Sequence, residues 1–310
     1  MPQQLLTRLG TTVLVLLGAT TLLFAMTLLI PGNPAQILLG PRATPDAIAA
    51  YSHAMGLDQP VWRRFLVFIG NVLRGDLGTD VVSGRSVLAM VLEVLPYTVT
   101  LTLAAMGLAL LAGVPLGCFA ATHPGSRADQ ALAVLSVSFI AVPNFVVAIV
   151  LLIVFSRWLN WLPVLGQRGA GSFAALILPA VSLALGWVGY IARLLRTSLL
   201  EALSADHVRT LRGYGVPGRL IIGRYALKLA AIPVAAVLGL GIGRLLGGAI
   251  FTEIVFARPG LGTLVFDAIG TRNYPVVQAS VLAVVLLFTL SNLAVDFFLA
   301  WLDPRVATNA

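Results

Sequence analysis

Residues 9–30, 94–122, 131–156, 169–192 and 273–295 contain no charged side chain, and residues 229–252 contain one, Arg244. A hydrocarbon core of roughly 30 Å is crossed by about 20 apolar residues in a helix. Each run meets that length, so the spacing predicts six transmembrane helices, over 9–30, 97–121, 131–156, 173–197, 229–254 and 275–301. A closed barrel is the other structure that satisfies its own backbone in lipid, but it needs short alternating segments and these runs are continuous. The fold class is therefore all-α and polytopic. The chain is 59% apolar and 10% charged, which is not a soluble composition. The first run is longer than a signal-peptide core, and PGNP follows it without a small-x-small cleavage site, so it reads as a span. The single cysteine, Cys118, lies inside the second span and reads as a small buried apolar residue.

Six spans place both termini on one side of the membrane. Short loops rich in arginine and lysine face the cytoplasm. Residues 193–228 carry Arg193, Arg196, Arg209, Arg212, Arg219, Arg224 and Lys228, and Arg8, Arg127 and Arg305 fall on the same side. The opposite short loops carry Arg157, Arg168, Arg258 and Arg272. Residues 31–93 hold further arginines, but so long a loop crosses largely regardless of charge. Both termini are thus expected to be cytoplasmic. The formal charge of +8 then follows from topology. It does not mark a nucleic-acid surface, which needs a basic soluble face.

The chain divides in expectation into a cytoplasmic end and first span (1–30), an extracytoplasmic cap (31–95) and a membrane core (96–310). In the cap, Thr44-Pro45-Asp46 is a helix start. Trp62, Phe65, Leu66 and Ile69 then recur at helical spacing.

Residues 204–228 read SADHVRTLRGYGVPGRLIIGRYALK. Positive charge alone satisfies the inside bias and touches anionic lipid, but it does not account for the order of elements. Ser204 or Asp206 is suited to cap a helix. About ten residues follow with Val208 and Leu211 on one face and Arg209 and Arg212 on the other. Gly215 supplies a stop, Pro217 comes just after, and a second short helix over 219–227 leads back to the membrane. A short helix held off the membrane between two long ones is suited to a groove on a cytoplasmic partner.

This loop resembles the cytoplasmic coupling loop of ABC importer permeases, in the oligopeptide/dipeptide/nickel branch. Asp206, Val208, Arg209, Thr210, Arg212 and Gly215 match the branch's pattern. His207 stands for its usual Tyr, Leu211 and Gly213 for alanines, Tyr214 for Lys, and Ile232-Pro233 for Leu-Pro. LLIPGNPA (28–35), GLDQP (56–60), RGDLG (74–78), VPNF (142–145), ILPA (177–180) and ARLLR (192–196) resemble the branch as well. So do TEIVFARPGLG, RNYPVVQ, NLAVDF and LDPR in the tail. The resemblance covers nearly the whole chain and fits the first of the two permeases.

The resemblance implies the type I importer permease fold and a heterodimer with a second permease in the bacterial plasma membrane. It further implies two ATP-binding subunits, an extracytoplasmic substrate-binding protein, and cargo of di- or oligopeptides, or else nickel chelates, glutathione or another small solute. Asp206, His207, Val208, Arg209, Thr210, Arg212 and Gly215 would couple to an ATP-binding subunit. No cofactor is expected on this chain, and ATP and magnesium would belong to the partners. Independently, no G-x-x-x-x-G-K-[ST] motif is present, so this chain has no P-loop phosphate cradle.

Arg244 and Asn144 are the candidate pathway-lining residues. Arg244 sits among Gly239, Gly241, Gly243, Gly247 and Gly248. Small residues let helices approach closely in lipid, so this segment is expected to pack within the permease pair near the pathway. A charge there is costly unless it meets water, a partner or a polar cavity. It is either a structural pair with the second permease or backbone carbonyls, or a pathway cation that meets a carboxylate. Glu253, nine residues on, is half a turn out of phase with it. A secondary transporter would place an ionisable pair at mid-membrane, and only Arg244 is clearly charged within a span. A membrane enzyme is disfavoured because His53, His123 and His207 have no metal-ligand spacing, and a scaffold would not need the coupling loop.

Overall fold

A computed structural model describes residues 2–29, 43–54, 56, 58–163 and 173–302. The PGNP stretch, Arg168 and the last three residues of the LDPR motif lie outside the described residues. Two compact units emerge from the packing. One comprises Leu95–Thr263 with the segment from Phe288, and the other comprises Pro2–Val94 with Leu264–Leu287. The described residues are overwhelmingly helical, as expected from runs in which every backbone group must be paired within the segment.

Helix α1 is Pro2–Leu29, and the cap contributes α2, Pro45–Ala54, and α3, Val61–Leu73. Helix α4, Val87–Thr122, starts ten residues earlier than the apolar run suggests, so Glu93 lies inside it. Helix α5 is Arg127–Ala141, and α6, Asn144–Leu151, passes into a π-helical stretch, Leu152–Trp158. Helix α7, Phe173–Ser204, outruns its expected end. Helix α8 is Asp206–Gly213. A turn over Gly218–Leu220 and a π-helical stretch Ile221–Ala226 then run into α9, Leu227–Val255. Helices α10, Leu261–Gly270, and α11, Tyr274–Leu302, complete the described chain.

Among the described residues, five helical segments are long and apolar enough to cross a membrane by themselves, and a bent pair makes six if it is one span. The expected continuous span over 131–156 is in fact α5 and α6, bent by 102°. Pro143 has no N–H to give and disfavours the helical region for the residue before it. Val142 accordingly takes φ −83°, ψ 125°. The short helix expected over 219–227 is not separate either. It joins α9 through the π-helical stretch, a wider turn often found where a helix must be re-aimed.

In the first unit the core is built mainly by α4, α7 and α9. Leu101, Ala105 and Ala109 of α4, Leu183, Ile191 and Leu195 of α7, and Leu245 and Ala249 of α9 are fully or almost fully buried together. A side-chain carbon on Gly243 would overlap the Phe288 ring of α11, and one on Gly241 would press on Trp187 and Met106. Gly241 and Gly243 therefore admit neighbours from this same chain, while the side of α9 that carries Arg244 and Gly247 stays uncovered.

In the second unit Phe24 of α1 packs on Phe65 and Phe68 of α3, with ring centroids 5.2 and 5.7 Å apart. Asp80, 6% exposed, closes the loop that follows. Its carboxylate accepts the N–H groups of Val82 at 3.3 Å and Ser83 at 2.8 Å. It also accepts the Ser83 hydroxyl and the Asn273 amide. Burial pushes the Asp80 pKa up, but these donors outweigh it and hold the carboxyl below its ordinary value. A depressed folded pKa stabilises fully above the unfolded value, about 3.9, and that stability is lost as pH falls through the folded value. Asp80→Ala is expected to open residues 81–84 to limited proteolysis at neutral pH, whereas the unaltered protein is cut there only well below pH ~4. Equal resistance of the two proteins at neutral pH would contradict the clasp.

Candidate functional site

Helix α7 ends at Ser204, whose hydroxyl turns back to donate to Glu201 O at 2.8 Å. Ala205 is extended, at φ −68° and ψ 150°, and occupies the N-cap position without a side-chain bond. Neither Ser204 nor Asp206 is therefore the cap. Ser204 is satisfied within α7, and Asp206 is already the first residue of α8, where its charge favours the helix N-terminus. The carbonyl of Ala205 takes the first N–H groups, from Val208 at 3.0 Å and Arg209 at 3.3 Å.

Helix α8 has eight residues. Val208 is fully buried and Leu211 half-buried, while Asp206, His207, Arg209, Thr210 and Arg212 are exposed. The buried side packs on the end of α7 and on the π-helical stretch. Arg209 Nη1 stands 3.7 Å from Asp206 Oδ1 with the two side chains 78% and 97% exposed. So exposed a pair contributes little and leaves the guanidinium open to a partner.

The helix closes in a Schellman motif. Gly215 N donates to Arg212 O at 3.0 Å and Val216 N to Leu211 O at 3.1 Å. Gly215 has φ +73°, the left-handed conformation this closure requires. A side-chain carbon there would meet nothing within 4 Å, so the backbone angle alone demands glycine. Tyr214, 82% exposed, sits beside Arg212 at the end of the same surface. It was legible in the sequence only as a departure from the branch's pattern.

The two pathway candidates lie elsewhere, on α6 and α9. Asn144 is half-buried at the first turn of α6, just past the break. Its amide nitrogen is 3.0 Å from where a side-chain carbon on Gly248 would be. Arg244, one turn before Gly248, is exposed and has no ion pair among the described residues. Leu240 and Phe251 continue its stripe along α9, 61% and 59% exposed. The structure thus brings Asn144 and the α9 glycines together and leaves Arg244 on the open face of the same helix.

Sequence reasoning placed Glu253 merely near a helix end. It is wholly buried. Its carboxylate accepts the Thr98 hydroxyl at 2.6 Å and Gly262 N at 2.7 Å, and Thr98 Oγ in turn accepts Leu261 N at 2.8 Å. Side chains on Gly260 or Gly262 would overlap this carboxylate or Ile250. Arg258, 4% exposed, holds its guanidinium 5.7 Å from the centre of the Tyr97 ring. The backbone closes α9 in a second Schellman motif, with Ala257 N to Ile254 O at 3.1 Å and Arg258 N to Glu253 O at 2.8 Å. The signal available in TEIVFARPGLG was an acid at the end of an apolar run followed by paired glycines. Removing a buried carboxylate that holds two donors costs about 3 kcal/mol or more. Glu253→Ala is therefore expected to lower the thermal midpoint of the purified assembly sharply, and Glu253→Gln, which keeps one accepting oxygen, less so. Equal midpoints for all three would contradict the clasp.

Comparison with known proteins places these features. Residues 113–308 match the family described as "Binding-protein-dependent transport system inner membrane component", and residues 1–102 match the N-terminal part of such membrane components. The dipeptide transport system permease protein DppB of Alkalihalophilus pseudofirmus is 36% identical, over 94% of this chain and 95% of its own length. The probable D,D-dipeptide transport system permease protein DdpB of Escherichia coli K12 is 36% identical, over 95% and 94%. The glutathione transport system permease protein GsiC of Salmonella choleraesuis is 38% identical, over 94% of each. An inward-facing structure of the MetNI methionine ABC transporter superposes with a TM-score of 0.58 at 18% identity, covering 70% of this chain and 97% of that one. That likeness is one of fold. With the apolar helices, the family match and near-full-length relatives in agreement, this chain belongs to the inner membrane components of binding-protein-dependent transport systems and has the type I ABC importer permease fold.

Proposed function

We propose that this chain is one half of the translocation pathway of an ATP-driven importer of di- or oligopeptides. It pairs with a second, similar permease. Two ATP-binding subunits sit against the cytoplasmic face, and an extracytoplasmic binding protein delivers cargo. Both termini are cytoplasmic, and residues 31–95 form the outer cap that meets the binding protein. The peptide reading rests on the names of the relatives, among which dipeptide permeases recur beside a glutathione permease. Each of those cargoes carries a peptide bond and a free carboxylate.

The observation that carries the coupling role is the eight-residue helix Asp206–Gly213. It is anchored by buried Val208 and shut by Gly215, and it presents His207, Arg209, Thr210 and Arg212 to water. A helix whose apolar side is already satisfied and whose polar side is open moves as a rigid lever when a partner grips it. Tyr214 and Arg212 belong to the residue types that dominate protein interfaces. ATP and magnesium bind the partner subunits, and closure of those subunits shifts α7 and α9 through this helix. Gly215→Val forces a β-branched residue to φ +73°, at a cost of about 1–2 kcal/mol. It is expected to abolish substrate-stimulated ATP hydrolysis while the membrane helices still insert. Arg209→Glu is expected to do the same by reversing charge at the interface. Unaltered transport and ATPase stimulation in the double variant would rule this helix out as the coupling element.

The exposed stripe of α9 supports a pathway role for Arg244. A guanidinium facing lipid at this depth is costly, so the stripe faces the second permease or the pathway. Its planar fork suits a carboxylate. Arg244→Ala is expected to slow uptake of peptide at least tenfold with the four-subunit assembly intact, the loss of a charge-assisted bond of about 1.5–3 kcal/mol. Loss of assembly would assign Arg244 to a structural pair, and unchanged uptake with intact assembly would remove both roles.

A further inference from the structure

The uncharged run of α7 ends at Arg193, and Arg196 follows one turn on. Asp129 of α5 stands at the same level, because its two oxygens receive Arg196 Nε at 2.5 Å and Nη2 at 2.7 Å. The first charges after a membrane-length apolar run mark the headgroup plane, here on the side of α8. Asp129 is spent structurally. It also accepts Gly125 N at 3.0 Å, while Ser126 caps α5 by accepting Asp129 N at 3.1 Å. Arg193 is different: it is exposed and has no ion pair among the described residues.

Between α5 and α7 lies a cavity of about 370 Å³. Arg193, Gln130 and Thr197 line it together with the Asp129–Arg196 pair, and Leu132 and Ala133 give it an apolar wall. Ser136 also lines it. This serine is 1% exposed, and its hydroxyl is buried without a hydrogen-bond partner. Ser136 packs on Gly189, where a side-chain carbon would lie 2.8 Å from Ser136 Cα. Gly189 is four residues before Arg193, so the unpaired hydroxyl lies one turn, about 6 Å, deeper in the membrane than the unpaired guanidinium. Val134 and Val137, on the neighbouring surface of α5, are 67% and 53% exposed.

The cavity thus has a cationic mouth at headgroup level, an apolar wall, an unsatisfied hydroxyl one turn below, and an apolar surface beside it. We propose that it binds an anionic glycerophospholipid. The phosphodiester is held by Arg193 in bidentate fashion, with the second N–H of the Gln130 amide, whose other meets Gly125 O at 3.3 Å, and the Thr197 hydroxyl, turned from the Arg193 O it meets at 3.1 Å, at the rim. The Ser136 hydroxyl donates to an ester carbonyl one turn deeper, and the acyl chains run along α5. The three charged groups sum to one positive charge, which selects an anionic lipid over a zwitterionic one. A soluble phosphate shares the headgroup chemistry, but it would use neither the buried hydroxyl nor the apolar wall.

The test uses the whole transporter complex in nanodiscs of equal phosphatidylglycerol and phosphatidylcholine, with retained lipid counted by native mass spectrometry. Phosphatidylglycerol is expected to be enriched over its share of the disc. Arg193→Gln, which leaves the Asp129–Arg196 pair untouched, should cut that retention about fivefold, the effect of one cation at an anionic surface. Ser136→Ala should reduce it further without changing the preference for anionic lipid. Should Arg193→Gln fail to assemble, Thr197→Leu at the exposed rim serves the same purpose and should also lower retention. Lipids retained in their bulk proportions, or an undiminished phosphatidylglycerol count in the variants, would overturn the proposal. Displacement of the lipid by excess inorganic phosphate would overturn it in favour of a soluble-anion site.

Discussion

A peptide group inside hydrocarbon must find its hydrogen-bond partner within the protein, and the rest of this structure depends on that requirement. It turns each uncharged run into a helix and decides where a helix is allowed to stop. Among the described residues the one break within a span, at Val142-Pro143, is tolerated because α6 then packs directly against α7 and α9. Elsewhere the helix continues through a widened, π-helical turn, as in Leu152–Trp158 and Ile221–Ala226, so the backbone ladder is shifted in register and not abandoned. Helix α7 has 32 residues, about 48 Å at 1.5 Å per residue, against a core of roughly 30 Å. The surplus lifts α8 away from the apolar core, where a partner can reach it.

The closures of α9 and α8 serve two different tasks. Both helices end in the same backbone closure, but the surroundings differ. At Glu253 the closure is locked by a buried carboxylate that ties Thr98, Leu261 and Gly262 into one network. At Gly215 nothing lies within 4 Å of the missing side chain, and the polar face of α8 is open. A rigid far end and an open near end are what a transmitted motion needs. In the coupling role proposed for α8, force applied there would pass into α7 and, through the π-helical stretch it packs on, into α9.

Much of this was legible in the sequence because lipid imposes so simple a rule. Charge-free runs located the spans, the order of short helix, glycine and proline located α8 although neither residue expected to cap it does so, and alternation within it separated Val208 from Arg209. What escaped was tertiary. Pro143 looked like any of the prolines that helices such as α4 and α7 absorb, and only the packing around it distinguishes a kink from a break. Glu253 looked like a boundary residue because its partners are 155 and nine positions away. The glycines around Gly243 suggested an interface between chains; Phe288 and Trp187 of this same chain fill the space at Gly243 and Gly241, while Gly247 and the side that carries Arg244 stay open. Composition cannot say which neighbour a small residue admits.

The central claim is that α8 is gripped by an ATP-binding subunit. The most direct measurement is site-specific cross-linking in the assembled transporter, with Cys118 replaced by alanine and Tyr214 by cysteine as the only thiol on this chain. The account predicts a cross-link from position 214 to an ATP-binding subunit whose yield changes when nucleotide is added. Cross-linking solely to the second permease or to the extracytoplasmic binding protein, with no response to nucleotide, would contradict it.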